Sequence, residues 1–153
     1  MKIIMIIILA LITTTSSTVF CDTNINTNTN SNYFIVVNEQ NPISKISANE
    51  LKKIYLGSKV NWETNDKLIM PAIFEDTDEK EFKFINDVLD FSVAAYRSYW
   101  RKKLFTGEGL PPKKYTNNDE VIDFVRHNKG AIGVISVNNL KNTDLKYVQI
   151  INN

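Results

Sequence analysis

Between Tyr33 and Ile151 the chain alternates short apolar runs of strand length with capped segments whose apolar residues recur at helical spacing. That alternation restricts the fold to helices packed on a small mixed or parallel sheet. Tyr33-Phe34-Ile35-Val36-Val37 is apolar at every position, as expected of a central strand covered on both faces. Leu68 to Phe74 reads as a second strand, with Pro71 marking an edge or a strand end. Ala131 to Ile135 and Tyr147 to Ile151 read as the last two strands.

The helices announce themselves by their caps. Ser47 stands three residues before Glu50, the capping-box spacing, and Leu51, Ile54 and Tyr55 follow on one face until Gly57, a left-handed stop. Asp78 and Glu81 repeat the spacing, so a helix begins near Glu79 with Phe82, Ile85 and Leu89 inward. A third helix from Ser92 to Lys103 is expected to carry Val93, Tyr96, Trp100 and Leu104 along its buried stripe and to end before Gly107. Asn117 with Glu120 starts a fourth, Arg126, His127 and Lys129 suit its negative end, and Gly130 is expected to close it.

At 153 residues and 43% hydrophobic content, the chain holds one domain with a real core. Its single cysteine, Cys21, rules out an internal disulfide, so stability must come from apolar packing. Residues 1–21 have the order of a secretory signal: Met1 and Lys2, an unbroken apolar run from Ile3 to Ile12, then a small polar stretch. The run falls short of the roughly 20 apolar residues a bilayer span needs. Cleavage fits after Cys21 or nearer Ser17; a lipid anchor on Cys21 is the alternative, against which bulky Phe20 argues. Residues 22–32 alternate Asn and Thr and are too polar to offset the entropy of ordering, so they read as a disordered leader to a domain at 33–153. Without Lys2 the basic and acidic side chains are equal in number, which predicts no nucleic-acid partner.

Catalytic signals are weak. His127, the only histidine, sits where an imidazolium complements a helix end, and no nucleophile, base and orienting group fall together, so no catalytic residue is assigned. No spaced ligand set predicts a metal or another cofactor; the acids Glu75, Asp76, Asp78 and Glu79 fit a helix start. The stretch from Tyr96 to Lys103 sends its aromatics inward and its charges to water. Gly107 and Gly109 before Pro111-Pro112 predict a stiff, sharply turned segment.

Three segments in this order resemble the solute-binding proteins of phosphate ABC importers. They are Leu51-Lys52-Lys53-Ile54-Tyr55-Leu56-Gly57 with Trp62, then Tyr99-Trp100 through Phe105-Thr106-Gly107-Glu108-Gly109-Leu110-Pro111-Pro112, and finally Gly130-Ala131-Ile132-Gly133-Val134. The resemblance extends from about Asn41 to Asn138 and implies a one-lobe, periplasmic-binding-protein-like α/β fold and a periplasmic, non-enzymatic protein. It also implies a small oxyanion such as phosphate as ligand and an ABC permease as partner, with no stable membrane insertion after signal cleavage. Full-length relatives hold phosphate between two lobes, with an Arg, an Asp and a Ser-Gly-Thr turn at a strand-to-helix junction. Here the comparable junction, Phe74 to Glu79, has no Arg, no Gly and four carboxylates. At an effective dielectric of about 20, each charge about 5 Å from a bound anion costs on the order of 3 kcal/mol, which disfavours phosphate there. Thr77, Thr106, Gly107, Gly109 and Ser136 stand at strand ends and loops where α/β proteins bind ligands, and they are the expected contact residues. The alternative is a cell-envelope protein-interaction module, using Trp100 to Pro112 or the Asn/Thr leader, that has lost small-molecule binding.

Overall fold

The computed structural model describes residues 33–74, 80–136 and 145–151. The signal, the leader, Thr77 and the cap at Asp78 lie outside the described residues. The elements run β1 (Tyr33–Val37), β2 (Lys45–Ser47), α1 (Ala48–Tyr55), β3 (Met70–Phe74), α2 (Lys80–Asp87), α3 (Val93–Thr106), β4 (Lys113–Tyr115), α4 (Asn118–His127), β5 (Ala131–Ser136) and β6 (Lys146–Ile151). The strands form one mixed sheet in the order β2-β6-β1-β5-β3-β4. β1 runs antiparallel to β5 and β6, whereas β3 is parallel to both β5 and β4.

Alternation along the strands divides the core into two layers. Ile35, Val37, Ile73, Ile132 and Val134 face α1, α2 and α3, joining Leu51, Ile54, Tyr55, Phe84, Leu89, Tyr96 and Trp100. Val36, Ala72, Ala131 and Ile135 face α4, meeting Val121, Ile122 and Val125. β1 and β5 are apolar on both faces because both are covered, as the sequence of β1 predicts.

The expected caps form. Ser47 accepts from the Glu50 amide at 3.1 Å, Ser92 from Ala95 at 3.2 Å and Asn117 from Glu120 at 2.9 Å. After α1, Gly57 takes φ +69° and the amides of Gly57 and Ser58 bond the carbonyls of Ile54 and Lys53, a Schellman turn. Gly130 does not close α4: Asn128 follows the last helical residue, and Gly130 lies beyond, where a Cβ would collide with the Leu68 carbonyl. Leu104 also departs from expectation, being 48% exposed. α1 ends against Trp100 and Lys103, and the last turn of α3 runs past that support. Pro71, read as marking an edge or a strand end, is the second residue of β3, which begins at Met70 and is not an edge strand. The Met70 amide bonds towards Gly130, so Pro71 turns towards β4, whose pairing begins only at Ala72.

Long-range side-chain hydrogen bonds hold the layers together. The Tyr55 hydroxyl donates to Ala72 O at 3.0 Å, the Trp62 indole N–H donates to Gly130 O at 3.0 Å, and the buried Asn38 amide donates to Val125 O and Arg126 O at 3.0 and 2.8 Å. Burial, then the neighbouring Tyr96, pushes the Tyr55 hydroxyl well above the ordinary tyrosine range. A raised native pKa stabilises the fold below the unfolded value and loses that contribution as pH climbs past about 10. Unfolding curves should therefore show falling stability above that pH, with a smaller fall in Tyr55→Phe.

Gly133 lets α4 approach β5: a Cβ there would meet Val121 Cγ1 at 2.7 Å and Val125 Cγ2 at 3.0 Å. Gly133→Ala should cost about 1–3 kcal/mol by urea denaturation, as overpacking does. Because the two sites touch, the penalty should shrink in a Val121→Ala background.

Candidate functional site

Chain direction at the sheet edge creates one place suited to a ligand. After β3 the chain crosses to the α2 and α3 layer, and after β4 it crosses through α4 to the opposite layer. β3 and β4 are parallel neighbours paired as far as Phe74 and Tyr115, and the chain leads from them to opposite layers, the topological switch point beside which the crevice of an open α/β sheet is expected. Open α/β sheets hold ligands at such a switch point.

Thr116 and Asn117 leave β4 directly into α4 and are exposed. Asn118 fastens this corner to β5: its side-chain amide donates to Ser136 O at 3.0 Å, and its Oδ1 accepts from the Ser136 amide at 2.9 Å. Ser136 is the last residue of β5 and is buried. Its backbone is thus held in place by the first turn of α4.

A helix N-terminus attracts anions through its free amides and dipole. The first turn of α4 already has internal partners and its own negative charge. Asn117 Oδ1 accepts from the Glu120 amide, and Glu120 Oε2 accepts from the Thr116 amide at 3.0 Å and from the Thr116 hydroxyl at 3.1 Å. Asp119 adds a second carboxylate to the same turn. Phosphate arriving here would meet these charges.

Of the expected contact residues, Ser136 ends β5, the strand beside β3, and Thr77 falls in 75–79, outside the described residues. Thr106, Gly107 and Gly109 precede the amino end of β4, so the strand separates them from Ser136. There Thr106 and Gly107 take part in the end of α3. The Thr106 hydroxyl donates to Lys102 O and Lys103 O at 3.2 and 3.3 Å, and Gly107 at φ +71° ends α3 with left-handed geometry. Thr116 and Asn118 were missed by sequence reasoning, although a cap residue directly after a strand was the available signal. His127 is exposed in the last turn of α4, its Nδ1 2.7 Å from Asp123 O, as a helix-end residue. Among the described residues no group of three or more His, Cys, Asp or Glu could hold a metal ion.

Comparison with solved structures identifies the architecture. A Clostridium perfringens protein described as a phosphate ABC transporter substrate-binding protein, solved with bound phosphate, superposes with TM-score 0.61 and 19% identity over 78% of this chain and 44% of its own. An ABC-type phosphate transport receptor of Vibrio cholerae gives TM-score 0.59 and 23% identity over 78% of this chain and 46% of its own. The fold is that of the periplasmic binding proteins. PstS of Borrelia burgdorferi gives TM-score 0.58 at 19% identity, over 77% of this chain and 46% of its own. The chain therefore spans less than half the length of these periplasmic-binding-protein-fold neighbours. No protein-family model matches it, and no curated protein matches it by sequence.

Replacing Asn118 by Ala removes its two hydrogen bonds to Ser136. Loss of the clamp should cost about 1–2 kcal/mol by denaturant unfolding and speed amide exchange at Ser136 relative to the centre of β5.

Proposed function

We propose that this chain is exported and works as a non-enzymatic, solute-binding-protein-like module. The observation that carries the reading is the switch point between β3 and β4, where neighbouring parallel strands send the chain to opposite faces of a periplasmic-binding-protein-type sheet. Thr77, Thr116 and Ser136 are the proposed contact residues. The fold neighbours, named as substrate-binding proteins, support the non-enzymatic reading. Export rests on the sequence of residues 1–21. Among the described residues no helix is long and apolar enough to cross a membrane.

The charge at the crevice selects the solute. Glu120 and Asp119 put two carboxylates in the first turn of α4, where a phosphate would have to approach. A neutral polar or cationic solute fits this environment; free phosphate does not. Because the chain spans under half of its fold neighbours, a permease partner and closure over the solute by a second lobe or copy belong to the proposal as well.

A thermal-shift series on the exported protein tests the reading with phosphate, sulfate, other oxyanions, sugars, amino acids and Ca²⁺. A true ligand at about 100 times its Kd adds roughly 2.7 kcal/mol, a rise of several degrees in Tm. The expected result is a shift with a neutral or cationic compound that disappears in Ser136→Trp, and none with phosphate. A phosphate shift in the unmodified protein would overturn the argument from Glu120. Silence from every compound would overturn the solute-binding reading.

A further inference from the structure

The end of the sheet remote from the crevice carries a second surface. α3 finishes in a projecting tip where Phe105 is 89% exposed, Leu110 in the following turn is 80% exposed and Leu104 is 48% exposed. Phe105 lies one helical turn from both Arg101 and Lys102, so all three share a face. Arg101 and Lys102 are exposed and form no ion pair among the described residues. Charge is segregated here: from Phe91 to Asn118 six basic residues accompany one acid, Glu108, although the whole chain has 18 basic and 17 acidic residues.

From this coincidence we propose that the α3 tip is a peripheral docking surface for an anionic membrane, with Phe105 and Leu110 entering the interface and Arg101 and Lys102 meeting lipid headgroups. The charge excludes symmetrical pairing with a second copy, which would set Arg101 and Lys102 against themselves. The shape separates a bilayer from a protein partner. Three side chains on a protruding tip cover far less than the roughly 800 Å² that each side of a stable protein interface buries. A bilayer accepts a small apolar projection without a matching surface, and long cationic side chains beside it reach the headgroups. Gly107 and the bond from the Glu108 amide to Lys103 O at 2.9 Å set the turn that carries Leu110.

Vesicle flotation of the exported protein tests this, since any contribution of the leader is common to every variant. Wild type should bind phosphatidylglycerol-containing vesicles about tenfold more tightly than phosphatidylcholine vesicles, and high salt should remove the difference. Phe105→Ser with Leu110→Ser, and separately Arg101→Glu with Lys102→Glu, should each weaken binding about tenfold or more. All four positions are exposed, so unchanged melting curves confirm folding. A solute-induced thermal shift should persist in both variants, which keeps this proposal separate from the solute reading. Absence of vesicle binding, or binding unaffected by either pair, overturns the proposal. So does a result in which Phe105 governs capture of an envelope protein while vesicles are ignored.

Discussion

The carboxyl end of α1 is the joint on which the fold turns. A helix end exposes carbonyls that must be satisfied. Here the α3 layer supplies the donors: Tyr96 Oη bonds Tyr55 O at 3.1 Å, while Tyr99 Oη and Lys103 Nζ bond Leu56 O at 2.7 and 3.0 Å. The Tyr55 side chain reaches the other way, through the core to Ala72 O in β3. One short helix thus ties the sheet to α3, and edge-to-face contacts of Tyr55 with Phe84 and of Tyr96 with Trp100 fill the space around the bonds. Because the bond from Tyr96 to Tyr55 O is buried, breaking it leaves a carbonyl without water to replace the donor.

Fixing α3 in this way determines what lies at each end of the molecule. At one end, β3 and β4 part to opposite faces, and α4, held to Ser136 by Asn118 and to β1 by Asn38, closes the corner. At the other, the last turn of α3 outruns its support and presents Phe105 to solvent. Ligand recognition and surface attachment, as proposed, therefore need not compete for the same residues.

Fold does not by itself fix the chemistry at the switch point. The architecture matches proteins named for phosphate transport, while the first turn of α4 carries two carboxylates, Asp119 and Glu120. Sheet topology is set by burial and chain direction, whereas solute charge is set by a few side chains at strand ends, so one can persist while the other changes.

The sequence by itself determined the elements whose defining interactions are local. Ser47, Ser92 and Asn117 begin helices through bonds to residues three positions on, and the unbroken apolar run of β1 required cover on both faces. Ser136 was legible as a strand end, but its clamp was not, because Asn118 stands 18 residues away and meets it only through the crossover of α4. The three-residue strands β2 and β4 lie at the sheet edges and have too few residues to show a period. Gly130 looks like a helix stop in sequence and proves to be a close approach to Leu68, and Leu104 follows the helical stripe yet lacks a neighbour to pack on. Caps and periodicity span three or four residues and can be read along the chain; strand order, the crevice and the exposed tip depend on which distant surfaces meet, and only tertiary packing decides that.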